Sequence, residues 1–97
     1  MEIKLCKLVD GTYAVGKITS EGDLVEGVEM LVMPNAMNNS IGIAMVPLMY
    51  PINPDLENDI VITANKILIT ITPNEDILAK YTEVTSGIIT PSLVMPN

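Results

Sequence analysis

Histidine, arginine, tryptophan and phenylalanine are all absent from this 97-residue chain, and cysteine occurs once. Without histidine the usual acid and base of neutral-pH catalysis is missing, and Cys6 has no imidazole to make it a thiolate. Asp, Glu, Lys, Ser, Thr and three tyrosines remain, enough only for a carboxylate-held metal or a Ser/Lys pair. The acids are spaced mainly through turns, so the chain reads as a non-enzyme with no cofactor and no metal site. A lone cysteine also excludes an internal disulfide, and in Ile3-Lys4-Leu5-Cys6-Lys7-Leu8 it falls where a strand calls for a small buried side chain.

Positive charge is scarce as well: five lysines stand against twelve acids, for a formal net charge of −7. Affinity for nucleic acid rests mainly on cations that replace counterions on phosphate, so composition alone argues against such a partner. Met1-Glu2-Ile3-Lys4 alternates in charge where a signal peptide needs a continuous apolar segment, which predicts a cytoplasmic protein. No charge occurs from Met30 to Pro54, but Pro34, Asn35, Asn38, Asn39, Pro47 and Pro51 interrupt that stretch, and no membrane span is expected.

The length accommodates one domain, 1–97. Three strands of a meander fill 2–33. The first alternates Ile3, Leu5, Lys7 and Val9 against Lys4, Cys6 and Leu8, and Asp10-Gly11 signals a two-residue hairpin. The second, from Tyr13 to Thr19, contains Gly16, which a strand tolerates where the sheet bends or another backbone comes close. The third runs from Leu24 to Met33, with Leu24, Val28 and Met30 expected on one face. An uncharged loop, 34–40, precedes strands at 41–50 and 59–72, both apolar on two faces, with Pro47 marking an edge or bulge. A helix is expected over 73–86: Thr72 as cap, Pro73 at the first helical position, Glu75 completing a capping box and Gly87 as the left-handed stop. Its apolar stripe is Ile77, Leu78, Tyr81 and Val84, and an uncharged apolar tail, 87–97, follows.

One helix of about a dozen residues cannot cover two strands that are apolar on both faces. Each 100 Å² of apolar surface left bare forfeits roughly 2.5 kcal/mol before entropy, so edge strands meeting those of a second copy, in a homo-oligomer, are expected.

Leu8-Val9-Asp10-Gly11-Thr12-Tyr13-Ala14-Val15-Gly16-Lys17-Ile18 resembles the opening of the Sm/LSm motif: a leucine, a turn with glycine, then a hydrophobic-x-Gly-x-hydrophobic strand. The second half is similar to Sm-like proteins of marine phages and ocean metagenomes in Ile67-Leu68-Ile69-Thr70, Pro73, Asp76, Leu78, Tyr81 and Ser86-Gly87-Ile88 before Pro91. The resemblance implies a strongly bent, five-stranded small barrel, here with a short C-terminal helix. It also implies a ring of copies joined through edge strands, with single-stranded RNA or DNA around the pore and, for a phage protein, a location in the host cytoplasm.

The chain departs from the family pattern. Only Asp23, one place out of register, stands for the Asp-x-x-Met-Asn signature, and Thr63-Ala64-Asn65-Lys66 replaces the Arg-Gly-x-Asn loop. The family's helix usually comes first; here it comes last.

On this reading the nucleic-acid contacts are Asp23 in the turn Glu21 to Asp23, and Thr63, Asn65 and Lys66, with Asn65 on a base edge and Lys66 on a phosphate. The plainer reading makes Asn65 a turn residue and Lys66 a solvated charge. Tyr13, Tyr50 and Tyr81 are expected to pack in the core with the hydroxyl at the rim. The methionines read as gap-filling core, and Asp55, Glu57 and Asp59 as a solvated acidic loop without calcium spacing. The missing arginine and base-stacking ring favour a rival reading, an adaptor oligomer that binds protein through its uncharged loop and tail.

Overall fold

Alternating apolar residues and turn formers give five strands and a helix: β1 (Glu2–Leu8), β2 (Tyr13–Ile18), β3 (Leu24–Asn35), β4 (Ser40–Pro47), β5 (Ile67–Ile71) and α1 (Glu75–Thr85). They are seen in a computed structural model that describes residues 1–35, 37–56 and 58–86. The expected stop at Gly87, the tail 87–97 and Glu57 of the acidic loop lie outside the described residues. The strands form one antiparallel sheet in the order β4-β3-β2-β1-β5, bent but not closed. The fold class is the expected one, mostly β with a C-terminal helix.

The bend sits at Gly16. Val15 pairs with Val28 and Lys17 with Val25, so Gly16 opposes two residues, Glu26 and Gly27, in a β-bulge. A Cβ on Gly16 would lie 2.8 Å from the Val25 carbonyl oxygen and 2.9 Å from the Gly27 Cα, so only glycine fits. Glu26 takes a positive φ of 50°, and its carbonyl accepts a hydrogen bond of 2.6 Å from the Tyr81 hydroxyl on α1.

The bulge inserts one residue and so reverses the side-chain alternation along β3. Leu24 therefore packs inside the bend with Cys6, Leu8, Ala14 and Leu48, whereas Val28 and Met30 pack on the other face with Val15, Ile77 and Tyr81. The expectation of one shared face for Leu24, Val28 and Met30 is corrected accordingly. β1 lies between the two layers, giving Cys6 and Leu8 to one and Ile3 and Leu5 to the other. The second layer is the one that α1 covers.

Several element boundaries also differ. The first hairpin has three loop residues rather than two: Gly11 at φ 91° donates to the Leu8 carbonyl at 2.9 Å, and Leu8 N–H donates to the Thr12 carbonyl at 2.8 Å. β4 ends at Pro47, because Leu48 to Tyr50 turn away and Tyr50 N–H donates back to the Pro47 carbonyl. Residues 59–66 form no ladder strand. Ile62 makes a single bridge with Leu24, and the Asn58 side chain satisfies nearby backbone by accepting from Ile60 N–H and donating to the Gly27 carbonyl. α1 is capped by Asn74, whose side chain accepts from Ile77 N–H at 2.9 Å, while Thr72 accepts instead from the Lys4 ammonium at 3.1 Å. Ile77 and Tyr81 are buried as expected, but Leu78 is exposed.

Candidate functional site

The β2–β3 turn and the short segment before β5 are distant in sequence, and the sheet brings them side by side. Thr19 shapes the turn, its hydroxyl accepting from Asp23 N–H at 3.1 Å and its carbonyl accepting from Gly22 N–H at 2.9 Å. Asp23 then reaches across, its carboxylate accepting from Ala64 N–H at 2.9 Å. A Cβ on Gly22 would stand 3.3 Å from the Ala64 methyl group. Ala64–Lys66 is a single 3-10 turn with no buried residue, pinned to the first hairpin by the Lys66 carbonyl, which accepts from Val9 N–H at 2.9 Å.

Asp23, Thr63, Asn65 and Lys66 are thus gathered at one end of the bent sheet. Their duties differ. Asp23 is committed to holding the two loops together, and the Thr63 hydroxyl donates to the Asn65 side-chain carbonyl at 2.7 Å. That leaves the Asn65 amide N–H groups and the exposed Lys66 ammonium facing solvent without a partner among the described residues. Glu21 and Asp23 set two acids against the one cation here.

Three of the other four lysines are more occupied, Lys80 on α1 being the exception. Lys4 pairs with Glu2 at 3.1 Å and Lys17 with Glu26 at 3.0 Å, and Lys7 lies 5.7 Å from the Tyr13 ring centre. Burial pushes the Cys6 thiol above its ordinary pKa against the opposing effect of Thr70. No three His, Cys, Asp or Glu side chains among the described residues stand close enough to hold a metal ion. No described helix is long and apolar enough to cross a membrane.

A second feature lies at the sheet edges. β4 and β5 end the strand order, so each leaves one row of backbone groups without a strand partner among the described residues. Both edges are apolar: Leu68, Ile69 and Ile71 on β5 are each at least half exposed, and Ile41 on β4 is 66% exposed. On the face continuous with the α1 layer, Leu5, Lys7, Tyr13, Ile69 and Ile71 line a groove of about 260 Å³. The pairs Leu5 with Ile71 and Lys7 with Ile69 explain their shared face, a signal available in the alternation of both strands.

The aromatic and methionine expectations are only partly met. Tyr81 is core, whereas Tyr13 and Tyr50 are surface residues, Tyr50 because it falls in the turn after β4. Met30 is buried, but Met33, Met37 and Met49 are exposed. No protein-family profile matches the chain, and no curated protein is similar to it in sequence.

Proposed function

We propose that the chain is an Sm-like, ring-forming protein that assembles from copies of itself edge to edge and contacts single-stranded RNA or DNA at the turn cluster of Thr63, Asn65 and Lys66, with Asp23 as its brace. The observation that carries this reading is the pair of bare apolar edges, β4 and β5, at opposite ends of one strongly bent sheet. Two different edges joined head to tail make a heterologous contact, which closes into a ring when the rotation between copies divides a full turn. A ring also gathers one copy of Lys66 and of the Asn65 amide from each subunit, repeating these donors around one axis beside the acids Glu21 and Asp23.

Charge supports the edges as the meeting surfaces. Copies that each carry −7 repel one another, and neither Ser40 to Pro47 nor Ile67 to Asn74 contains a charged residue. The acid excess at the turn cluster favours the rival reading, in which the assembled ring binds a protein rather than nucleic acid.

Light scattering tests the assembly: a 10.5 kDa monomer at micromolar concentration sinks it. Binding of the purified protein to oligo(U) and oligo(A) at two salt concentrations tests the cargo. Affinity that weakens with salt and falls with Lys66→Ala is expected, and no binding at low salt leaves the protein-binding reading.

A further inference from the structure

Two parts of the surface are apolar and open. β2 accompanies β3 only as far as Met30, opposite Tyr13, but β3 and β4 continue from Leu31 opposite Ala44 to Asn35 opposite Ser40 as a two-stranded ribbon. The ribbon carries no charge, and its apolar side chains are open: Met33 is 50% and Ile41 66% exposed. Electrostatics selects no ligand there. The other part is the groove over β1 and β5, which differs in having one cation set among apolar walls.

Alternation places Leu5 and Lys7 of β1, Tyr13 of β2, and Ile69 and Ile71 of β5 on one face of the sheet. The register sets Lys7 between Tyr13 and Ile69, and Leu5 beside Ile71. The α1 layer reaches as far as Leu5, and the groove beyond it, about 260 Å³, stays open. Three strands of one copy build this groove, so it needs neither the assembly nor the turn cluster proposed above.

Lys7 is the groove's only charged side chain, and no acid lines it. Lys4 and Lys17 meet carboxylates at 3.1 and 3.0 Å, whereas the half-buried Lys7 has the Tyr13 ring as its neighbour, 5.7 Å away at its centre. A ring face attracts a cation without neutralising it, so the ammonium keeps its charge and its donors for a ligand. Beside it, Ile69 and Ile71 are each at least half exposed.

We infer that the groove binds a small amphiphilic monocarboxylate, its carboxylate on the Lys7 ammonium and its hydrocarbon body along Leu5, Ile69 and Ile71. Each half of the ligand follows from one observation. A single ammonium without an acid partner balances one negative charge, and the net charge of −7 works against a ligand that carries more. The apolar walls favour hydrocarbon over a polar body, which would give up water there without a hydrogen-bond partner. At roughly 30 Å³ per water-sized group, the volume admits a ligand of on the order of nine heavy atoms.

The test is titration of the full chain, labelled for amide NMR, with octanoate, octan-1-ol and octylamine at neutral pH. Octanoate is expected to saturate with a Kd of about 1 mM or lower and to shift the amides of Leu5, Lys7, Tyr13, Ile69 and Ile71. It should bind about tenfold or more tightly than the alcohol or the amine, the difference expected of a charge-assisted contact. Lys7→Met keeps an apolar chain of similar length and is expected to remove that preference while the alcohol binds as before. As a second variant, Ile69→Asp sets a carboxylate opposite Lys7 and is expected to abolish octanoate binding with unchanged circular dichroism. Equal affinity for the three probes, a preference that survives Lys7→Met, or shifts confined to residues outside the groove overturn the inference. So does a lack of saturation by about 10 mM octanoate. Affinity that falls in step with the growth of oligomer in light scattering also overturns it, and assigns the groove to a neighbouring copy.

Discussion

From Leu24 to Met30, strand β3 runs beside β2, bridges to Ile62 and lies between two layers of side chains; from Leu31 to Asn35, the same strand has only β4 beside it among the described residues. The first stretch contains the bulge, a positive φ and contacts so close that Gly16 admits no side chain. The second is regular, exposed and tolerant by geometry. The contrast separates what specifies the fold from what is free to serve an interface, although neighbouring residues of one strand carry both.

Two glycines sharpen this comparison and differ most in expected effect. Gly16→Ala drives a methyl group into backbone that cannot move aside, and we predict a loss of about 3 kcal/mol in urea unfolding or failure to fold. Gly42 sits in the ribbon, where an added Cβ comes no nearer than 3.5 Å to the Met33 carbonyl oxygen, an ordinary contact. Gly42→Ala is expected to change stability by no more than about 0.5 kcal/mol. Equal costs would mean that the ribbon is as tightly specified as the bend.

Next in size is the tie between helix and bulge. Tyr81→Phe removes the hydroxyl that meets the Glu26 carbonyl, at an expected cost of about 1–2 kcal/mol at neutral pH. Burial, and the nearby Glu26 carboxylate, hold the Tyr81 hydroxyl above its ordinary pKa, against the effect of Thr85. Folding therefore favours the protonated phenol. Its contribution is complete below the unfolded value near pH 10 and is lost as pH rises through the higher folded value. Wild type should lose stability in that alkaline window, and Tyr81→Phe should lose less; equal losses would place the effect elsewhere.

Smaller again is the helix cap. Asn74→Ala is expected to cost about 1 kcal/mol, and Thr72→Ala less, because Thr72 has only an exposed partner in Lys4. The sequence supports Thr72 as cap equally well, since Thr-Pro-Asn-Glu satisfies the capping-box spacing. Asn74, however, is itself a strong cap placed just before the acidic pair Glu75 and Asp76.

That ambiguity typifies what sequence does and does not reveal here. Strand alternation, the turn glycines and the need for glycine at position 16 are local properties, and they yield the meander, the bend and the helix. The bulge partner of Gly16 is not local: nothing within Leu24 to Met33 says that alternation reverses at Glu26, because the reversal exists only opposite β2. The turn cluster was half legible. Residue types suggested Asp23, Asn65 and Lys66, but the bond from Ala64 N–H to Asp23, which makes Asp23 a brace rather than a contact, depends on the sheet. The ribbon was hidden for the opposite reason. Pro34 to Ser40 carries loop formers, yet Pro34 and Asn35 keep strand pairing with Ile41 and Ser40, since the outer edge of β3 needs no N–H from Pro34.

The smallest expected effect concerns the ribbon of the isolated chain. Ile41 faces Pro34 across the ribbon and is largely exposed, so Ile41→Thr removes one cross-strand contact worth about 0.2–1 kcal/mol at most while keeping a β-branched strand former. Measured in dilute protein, its unfolding midpoint should nearly match that of wild type. Concentration is the lever that separates the two regions of β3. Anything that binds the folded chain raises its apparent stability by mass action, so an assembling wild type should unfold at a higher temperature as protein concentration rises. A substitution in the ribbon should flatten that dependence without lowering the dilute midpoint, whereas one at the bend should lower the midpoint at every concentration. If Ile41→Thr lowers the dilute midpoint by as much as Tyr81→Phe does, the ribbon belongs to the fold of the single chain, and the division drawn along β3 fails.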